Sequence, residues 1–150
     1  MEKKIVQVQE RTQQLIRQLL NVWESSVRAT HDFLSEEEII KIREYVPMAI
    51  ENVEYLIIAE KEFGEPVAFM GIDSNRLEML FLSPEARGNG LGKQLLQYGI
   101  EIYNIQELTV NEHNPRAADF YEHMGFQTYK RTDHDEEGNP YPLLYMRLSK

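Results

Sequence analysis

The chain contains no cysteine, which excludes disulfides, thiolate metal ligands and a cysteine nucleophile. It also lacks a basic surplus: 25 acidic residues against 16 lysines and arginines give a net charge of -9. A nucleic-acid partner normally needs a basic face, so none is expected. Long hydrophobic runs are missing too. Residues 1–9 carry two lysines but no apolar stretch of signal-peptide length, and no segment approaches the roughly 18 apolar residues of a membrane span. A cytoplasmic protein without a membrane partner is expected. Repeats and linkers are absent, and 150 residues, 42% of them apolar, suffice for one core but are short for two. Residues 1–150 are therefore expected to form a single domain.

What is present is a succession of clear periodicities. Residues 4–8 alternate as in a short strand, and Leu15, Ile16, Leu19, Leu20, Trp23 and Val27 recur on one face of a helix over 11–28. Ser35 and Glu38 have capping-box spacing, opening a second helix that runs toward Pro47, which breaks or kinks it. Residues 53–60, 66–73 and 77–82 read as strands of an antiparallel meander, divided by Phe63-Gly64-Glu65 and Ser74-Asn75. A helix follows over 90–103 and a strand over 107–110. Asn114-Pro115 is an N-cap with proline at the first helical position, and Gly125 closes that helix. Strands over 126–131 and 143–148 end the chain. This order predicts a mixed α/β (α+β) sheet with helices on both faces.

The strand, glycine-rich turn and helix over 77–103 carry the chemistry. In Arg87-Gly88-Asn89-Gly90-Leu91-Gly92 the glycines permit positive φ and close backbone approach, while the following helix offers unpaired N–H groups and a positive dipole end. A Walker A loop would need glycine at Arg87 and serine or threonine at Gln94. A dinucleotide fingerprint starting at Gly88 would need its third glycine at Lys93. Both spacings fail. By itself the loop leaves two readings open, an anion site at a helix N-terminus and a glycine-rich turn without a ligand.

A second segment decides between them. Leu80-Phe81-Leu82-Ser83-Pro84-Glu85-Ala86-Arg87-Gly88-Asn89-Gly90-Leu91-Gly92 resembles the acetyl-CoA motif of the GCN5-related N-acetyltransferases (GNAT), with Arg87, Gly90 and Gly92 filling its core. Asn114-Pro115-Arg116-Ala117-Ala118-Asp119-Phe120-Tyr121, closed by Gly125-Phe126, resembles the family's second motif. The segments over 23–34 and 138–144 are similar to the ends of the small bacterial YjaB-type acetyltransferases. The resemblance implies the GNAT fold, one mixed, mostly antiparallel sheet of six to seven strands flanked by about four helices. It implies transfer of an acetyl group from acetyl-CoA directly to a primary amine, with no metal, in a monomer or homodimer. A CoA-binding sensor without catalysis and a longer acyl donor are the alternatives.

The same resemblance distributes roles. Backbone amides of Leu80, Phe81 and Leu82 would hold pantetheine, with an N–H near Leu82 polarising the thioester carbonyl. N–H groups from Arg87 through Gly88, Asn89, Gly90, Leu91, Gly92 and Lys93 would hold the pyrophosphate, Arg87 and Lys93 adding charge. Tyr121 would protonate the departing thiolate; as part of a stripe with Ala117 and Met124 it also reads as core. Asn114 would cap its helix and, with Ala117, border CoA. Glu78, on one strand face with Leu80 and Leu82, is the first candidate for proton acceptor from the amine, and His31 at the end of the first helix is the second. Each also reads as an ordinary surface or structural residue. Trp23 reads as core rather than substrate wall, and the acidic run over 133–137 as a solvated loop bordering the acceptor site rather than a metal cluster.

Overall fold

The structure, a computed structural model, describes residues 4–149; residues 1–3, the start of the lysine-bearing segment over 1–9, and Lys150 lie outside them. In chain order the elements are β1 (Lys4–Gln7), α1 (Gln13–Thr30), α2 (Glu36–Arg43), α3 (Val46–Asn52), β2 (Tyr55–Glu60), β3 (Pro66–Asp73), β4 (Arg76–Leu82), α4 (Leu91–Tyr103), β5 (Glu107–Asn111), α5 (Pro115–His123), β6 (Phe126–Thr132) and β7 (Leu143–Leu148). The strands form a seven-stranded sheet in the order β1-β2-β3-β4-β5-β7-β6. Every neighbouring pair is antiparallel except β4 and β5. The mixed, mostly antiparallel sheet is the one expected. No helix among the described residues is long and apolar enough to cross a membrane.

Local chemistry sets the helix boundaries. Thr12 caps α1, its hydroxyl accepting the Leu15 N–H at 3.1 Å. At α2 both halves of the capping box form, Glu38 N–H to Ser35 Oγ at 3.1 Å and Ser35 N–H to Glu38 Oε1 at 2.9 Å. The helix expected to run toward Pro47 ends at Arg43, and Pro47 lies in the first turn of a separate helix, α3. The reason is positional: a proline lacks the very N–H that a first turn leaves unpaired, so it starts a helix as readily as it stops one. About four helices thus become five among the described residues. Arg11 closes α3, donating from Nη1 to the carbonyls of Ile50 (3.0 Å), Glu51 (2.9 Å) and Val53 (2.5 Å) and from Nη2 to Glu54 (3.1 Å). A fixed cation there satisfies orphan carbonyls and the negative end of the helix dipole.

Each face of the sheet buries its own apolar cluster. Leu19, Trp23 and Val27 of α1 pack with Ile39, Ile50, Leu56, Ile58 and Phe69, joined by Met79 and Phe81. Leu91, Leu95 and Leu96 of α4 pack on the other face with Met70, Ile72, Leu77, Phe126 and Met146, joined by Leu80 and Leu82. Trp23 is core, 4% exposed.

Strand β4 departs from regular pairing in two places. Gly71 opposes Met79 while Ile72 opposes Leu77, so Glu78 is an extra residue in a β-bulge. A bulge bends its strand and increases the local twist. Against β5, β4 pairs only through Arg76 with Glu107 and Leu77 with Leu108, whereas β5 stays paired with β7 as far as Asn111. Beyond Leu77 the two strands part.

Replacing Arg11 with methionine removes four hydrogen bonds to a helix end from a charged donor, and we expect it to lower unfolding free energy by about 1.5–3 kcal/mol. Urea titration reads the change; a loss under about 0.5 kcal/mol would contradict the capping role.

Candidate active site

Where β4 and β5 separate, the gap is a cleft of about 500 Å³. Ser83 N–H donates to the Val67 carbonyl at 2.8 Å, holding the end of β4 on β3. Antiparallel pairing alternates, so the N–H and C=O groups of Leu80 and Leu82 turn to the opposite edge, the one β5 has left. A strand edge lined by partly buried groups is costly unless something pairs with it.

At one end of this edge stands the N-terminus of α4. Its first backbone bond runs from Gln94 N–H to the Gly90 carbonyl at 3.0 Å, so the N–H groups of Leu91, Gly92 and Lys93 have no helical acceptor. Gly88 and Gly90 hold φ of 82° and 78°, a left-handed conformation that is cheap only for glycine. The Arg87 N–H is already engaged by the Pro84 carbonyl at 3.3 Å, so the free donors begin after it.

The expected residues largely converge. Leu80, Phe81 and Leu82 of β4 line the cleft, as do Arg87, Gly88, Gly90, Leu91, Gly92 and Lys93. So do His31, Glu78, Asn114, Ala117 and Tyr121. Asn89 is not on its wall. Phe81 faces the α1 core, its ring 5.6 Å from that of Phe69, and so borders the cleft from the far side of the sheet. Asn114 caps α5 through its Oδ1, which accepts the Ala117 N–H at 3.4 Å. Sequence reading missed Ser26, Thr30, Thr109, Asn111, Arg116 and Phe120 on the same wall. Ser26 was legible only as part of a helix that buries a wider face than its apolar stripe, and Thr30 lies beyond residue 28, where that helix was expected to end. Arg116 follows Pro115 in the motif itself, a signal that was available.

The Arg87 guanidinium donates from Nη2 to Ser26 Oγ at 2.9 Å, tying the glycine loop to α1. Burial, and then the neighbouring Arg116, hold its pKa below the ordinary value. Two like charges at one place in a cleft make it attractive to anions. Burial alone pushes the Tyr121 phenol well above its usual value, so it stays protonated at any pH of interest. Burial raises the Glu78 carboxyl against the opposing pull of Arg76, whose Nε lies 3.3 Å from Oε1.

His31 is lowered by burial first and by Arg87 second, with Asp32 opposing. Its Nδ1 lies 2.8 Å from Thr30 Oγ1, and that hydroxyl donates to the Ser26 carbonyl at 2.8 Å. A hydroxyl has one hydrogen to give. With it spent on Ser26, His31 must donate from Nδ1, which leaves the lone pair on Nε2.

A second cavity of about 480 Å³ adjoins the cleft and shares His31 and Asn111 with it. Its other walls come from Phe33 and Leu34 before α2, from α2 and Tyr45 just after it, and from the loop between β6 and β7. In that loop the acidic run is a structural turn: Asp135 Oδ1 accepts the N–H groups of Glu137 (3.0 Å) and Asn139 (2.8 Å).

Comparison with known proteins gives this geometry a family. Residues 12–149 match the family model described as an acetyltransferase (GNAT) domain. The chain belongs to the GNAT family. This GNAT protein is 37% identical over 126 residues to the peptidyl-lysine N-acetyltransferase YjaB of Salmonella typhimurium, covering 84% of this chain and 86% of that one. The solution structure of apo YjaB from Escherichia coli matches with a TM-score of 0.87 and 32% identity, over 98% of this chain and 97% of the other. The PaiA N-acetyltransferase of Thermoplasma acidophilum in complex with coenzyme A shares the fold at a TM-score of 0.73 and 22% identity, over 98% and 99% of the two chains.

Gly92 tests the cleft as a cradle. A Cβ there would meet Phe120 Cζ at 3.7 Å and Leu82 Cδ2 at 3.9 Å, ordinary contacts that the protein's own packing tolerates. Gly92→Ala should therefore keep or raise stability, by up to about 1 kcal/mol, and leave acetyl-CoA affinity within threefold. Gly92→Leu should fold yet bind at least tenfold more weakly by calorimetry. Equal affinity for the leucine variant would remove Gly92 from the binding surface.

Proposed function

We propose that residues 1–150 form one acetyltransferase domain that transfers the acetyl group of acetyl-CoA to the side-chain amine of a protein lysine. The observation that carries this reading is the unpaired Leu80–Leu82 edge ending at the free N–H groups of α4, an extended polar rail of the right chemistry for an amide-containing arm and a phosphate. The acceptor follows from the relatives named peptidyl-lysine N-acetyltransferases. Acetyl-CoA supplies the acetyl group as a thioester, which the amine attacks directly, forming the C–N bond as the C–S bond breaks.

The chain's own groups have separate tasks in this scheme. The amides of Leu80 and Leu82 hold the pantetheine arm, and the Leu82 N–H stabilises negative charge on the carbonyl oxygen. Leu91, Gly92 and Lys93 offer N–H groups to the pyrophosphate, with Gly88 and Gly90 keeping the approach open and Arg116 adding charge. Arg87 acts mainly by fixing the loop to Ser26. Tyr121, kept as a phenol by burial, gives its proton to the leaving sulfur.

The amine's proton goes to His31 Nε2. His31 is preferred over Glu78 because it forms the wall common to both cavities and its tautomer presents a free lone pair. Burial keeps the ring neutral at pH 7, ready to accept. Glu78 is tied to Arg76 and its side chain is 38% exposed.

Tyr121→Phe should lower kcat about 10²-fold while the acetyl-CoA Kd stays within twofold, as read by thiol release and calorimetry; unchanged turnover would take Tyr121 out of the acid role. For His31 the sign is set by its lowered pKa. The neutral base is lost only as pH falls below the ordinary histidine value of about 6.5, so kcat should drop on that acid side. In His31→Gln the inflection should vanish; its survival would assign the proton to another group.

A further inference from the structure

The second cavity is more than a passage to the cleft. We propose that it reads the protein segment around the acceptor lysine, favouring one that sets a cationic side chain beside an apolar one. This rests on the neighbouring cleft being the transfer site, because His31 and Asn111 are walls of both. A group filling the second cavity is therefore only a few bonds from an amine that reaches the first.

Size argues against a lone lysine stem as the occupant. At roughly 30 Å³ for each water-sized group, four methylenes and an ammonium take on the order of 150 Å³. The cavity of about 480 Å³ leaves most of its room for neighbouring residues.

The walls state what those residues are. Glu38, Asp135 and Glu137 border the cavity and Lys41 is its counter-charge, a net negative lining that suits a cation. Glu137 makes no side-chain hydrogen bond or ion pair among the described residues, so its carboxylate is available. Ile42 and Tyr45 line the same cavity, 39% and 59% exposed, and supply the apolar half.

The cavity is also held open in advance. Tyr141 donates a hydrogen bond to Glu38 Oε2, joining the segment after the acidic loop to α2. The Phe33 ring centroid lies 5.7 Å from those of both His113 and Tyr141, which are 6.1 Å from each other. A preformed wall spends less of its binding energy on ordering.

The test compares three acceptors by thiol release: a short peptide with one lysine flanked by arginine and leucine, the same peptide with glutamate and serine flanks, and Nα-acetyl-lysine amide. The proposal expects kcat/KM to favour the arginine and leucine peptide at least tenfold over the glutamate and serine one, chiefly through KM. Glu137→Lys and Tyr45→Ala should each shrink the ratio of that peptide to Nα-acetyl-lysine amide at least threefold. Equal kcat/KM for the two peptides, or variants that weaken all three acceptors in proportion, would overturn the proposal. Absence of thiol release with any of the three would instead overturn the transfer to lysine on which it rests.

Discussion

The proposed acyl transfer depends throughout on a failure of pairing: β4 and β5 stay together for two residues and then part. The cause is distributed. Glu78 bulges and bends β4, the Ser83 N–H keeps its end on β3, and β7 holds β5 over its full length. Two strands anchored to different partners must diverge when one of them twists more. The parting leaves a backbone edge without a strand, and the glycine loop at its end leaves a helix N-terminus without a cap. These two lapses of ordinary hydrogen bonding lie on the wall of one cleft, and the proposed function satisfies both with a single extended ligand that carries amides along it and phosphates at its end.

The electrostatics arise from the same opening. In the proposed function a chain of net charge -9 binds an anion here through local donors, the oriented N–H groups and the pair Arg87 and Arg116. Long-range charge favours the other substrate, a cation. The acidic second cavity and the cleft share His31 and Asn111 as walls. Burial lowers the pKa of that histidine and raises that of Tyr121; in the proposed mechanism desolvation thereby readies one group to take a proton and the other to give one.

Sequence reading recovered what is determined within a few residues. The Ser35–Glu38 box and the Asn114 cap were legible because donor and acceptor lie three residues apart. The glycine loop was legible because left-handed φ at Gly88 and Gly90 demands that residue type. Pro47 was ambiguous, since its chemistry suits a helix start as well as an end. The bulge at Glu78 left no mark, because it exists only relative to Ile72 on another strand. Arg11 likewise looks like an ordinary surface cation until folding places it on the end of α3, and Arg87, legible as part of the motif, gave no sign that it would bond to Ser26, 61 residues away in sequence. The tautomer of His31 depends on a hydroxyl whose own acceptor lies four residues earlier.

The central claim, that the open edge of β4 and the start of α4 are the acetyl-CoA site, is tested most directly by amide NMR during an acetyl-CoA titration. The account predicts large, saturable shifts for the N–H groups of Leu80, Leu82, Leu91, Gly92 and Lys93, while those of Phe81 and Ser83, already bonded to β3, move little. Saturable binding that leaves Leu80 and Leu82 unmoved would contradict it.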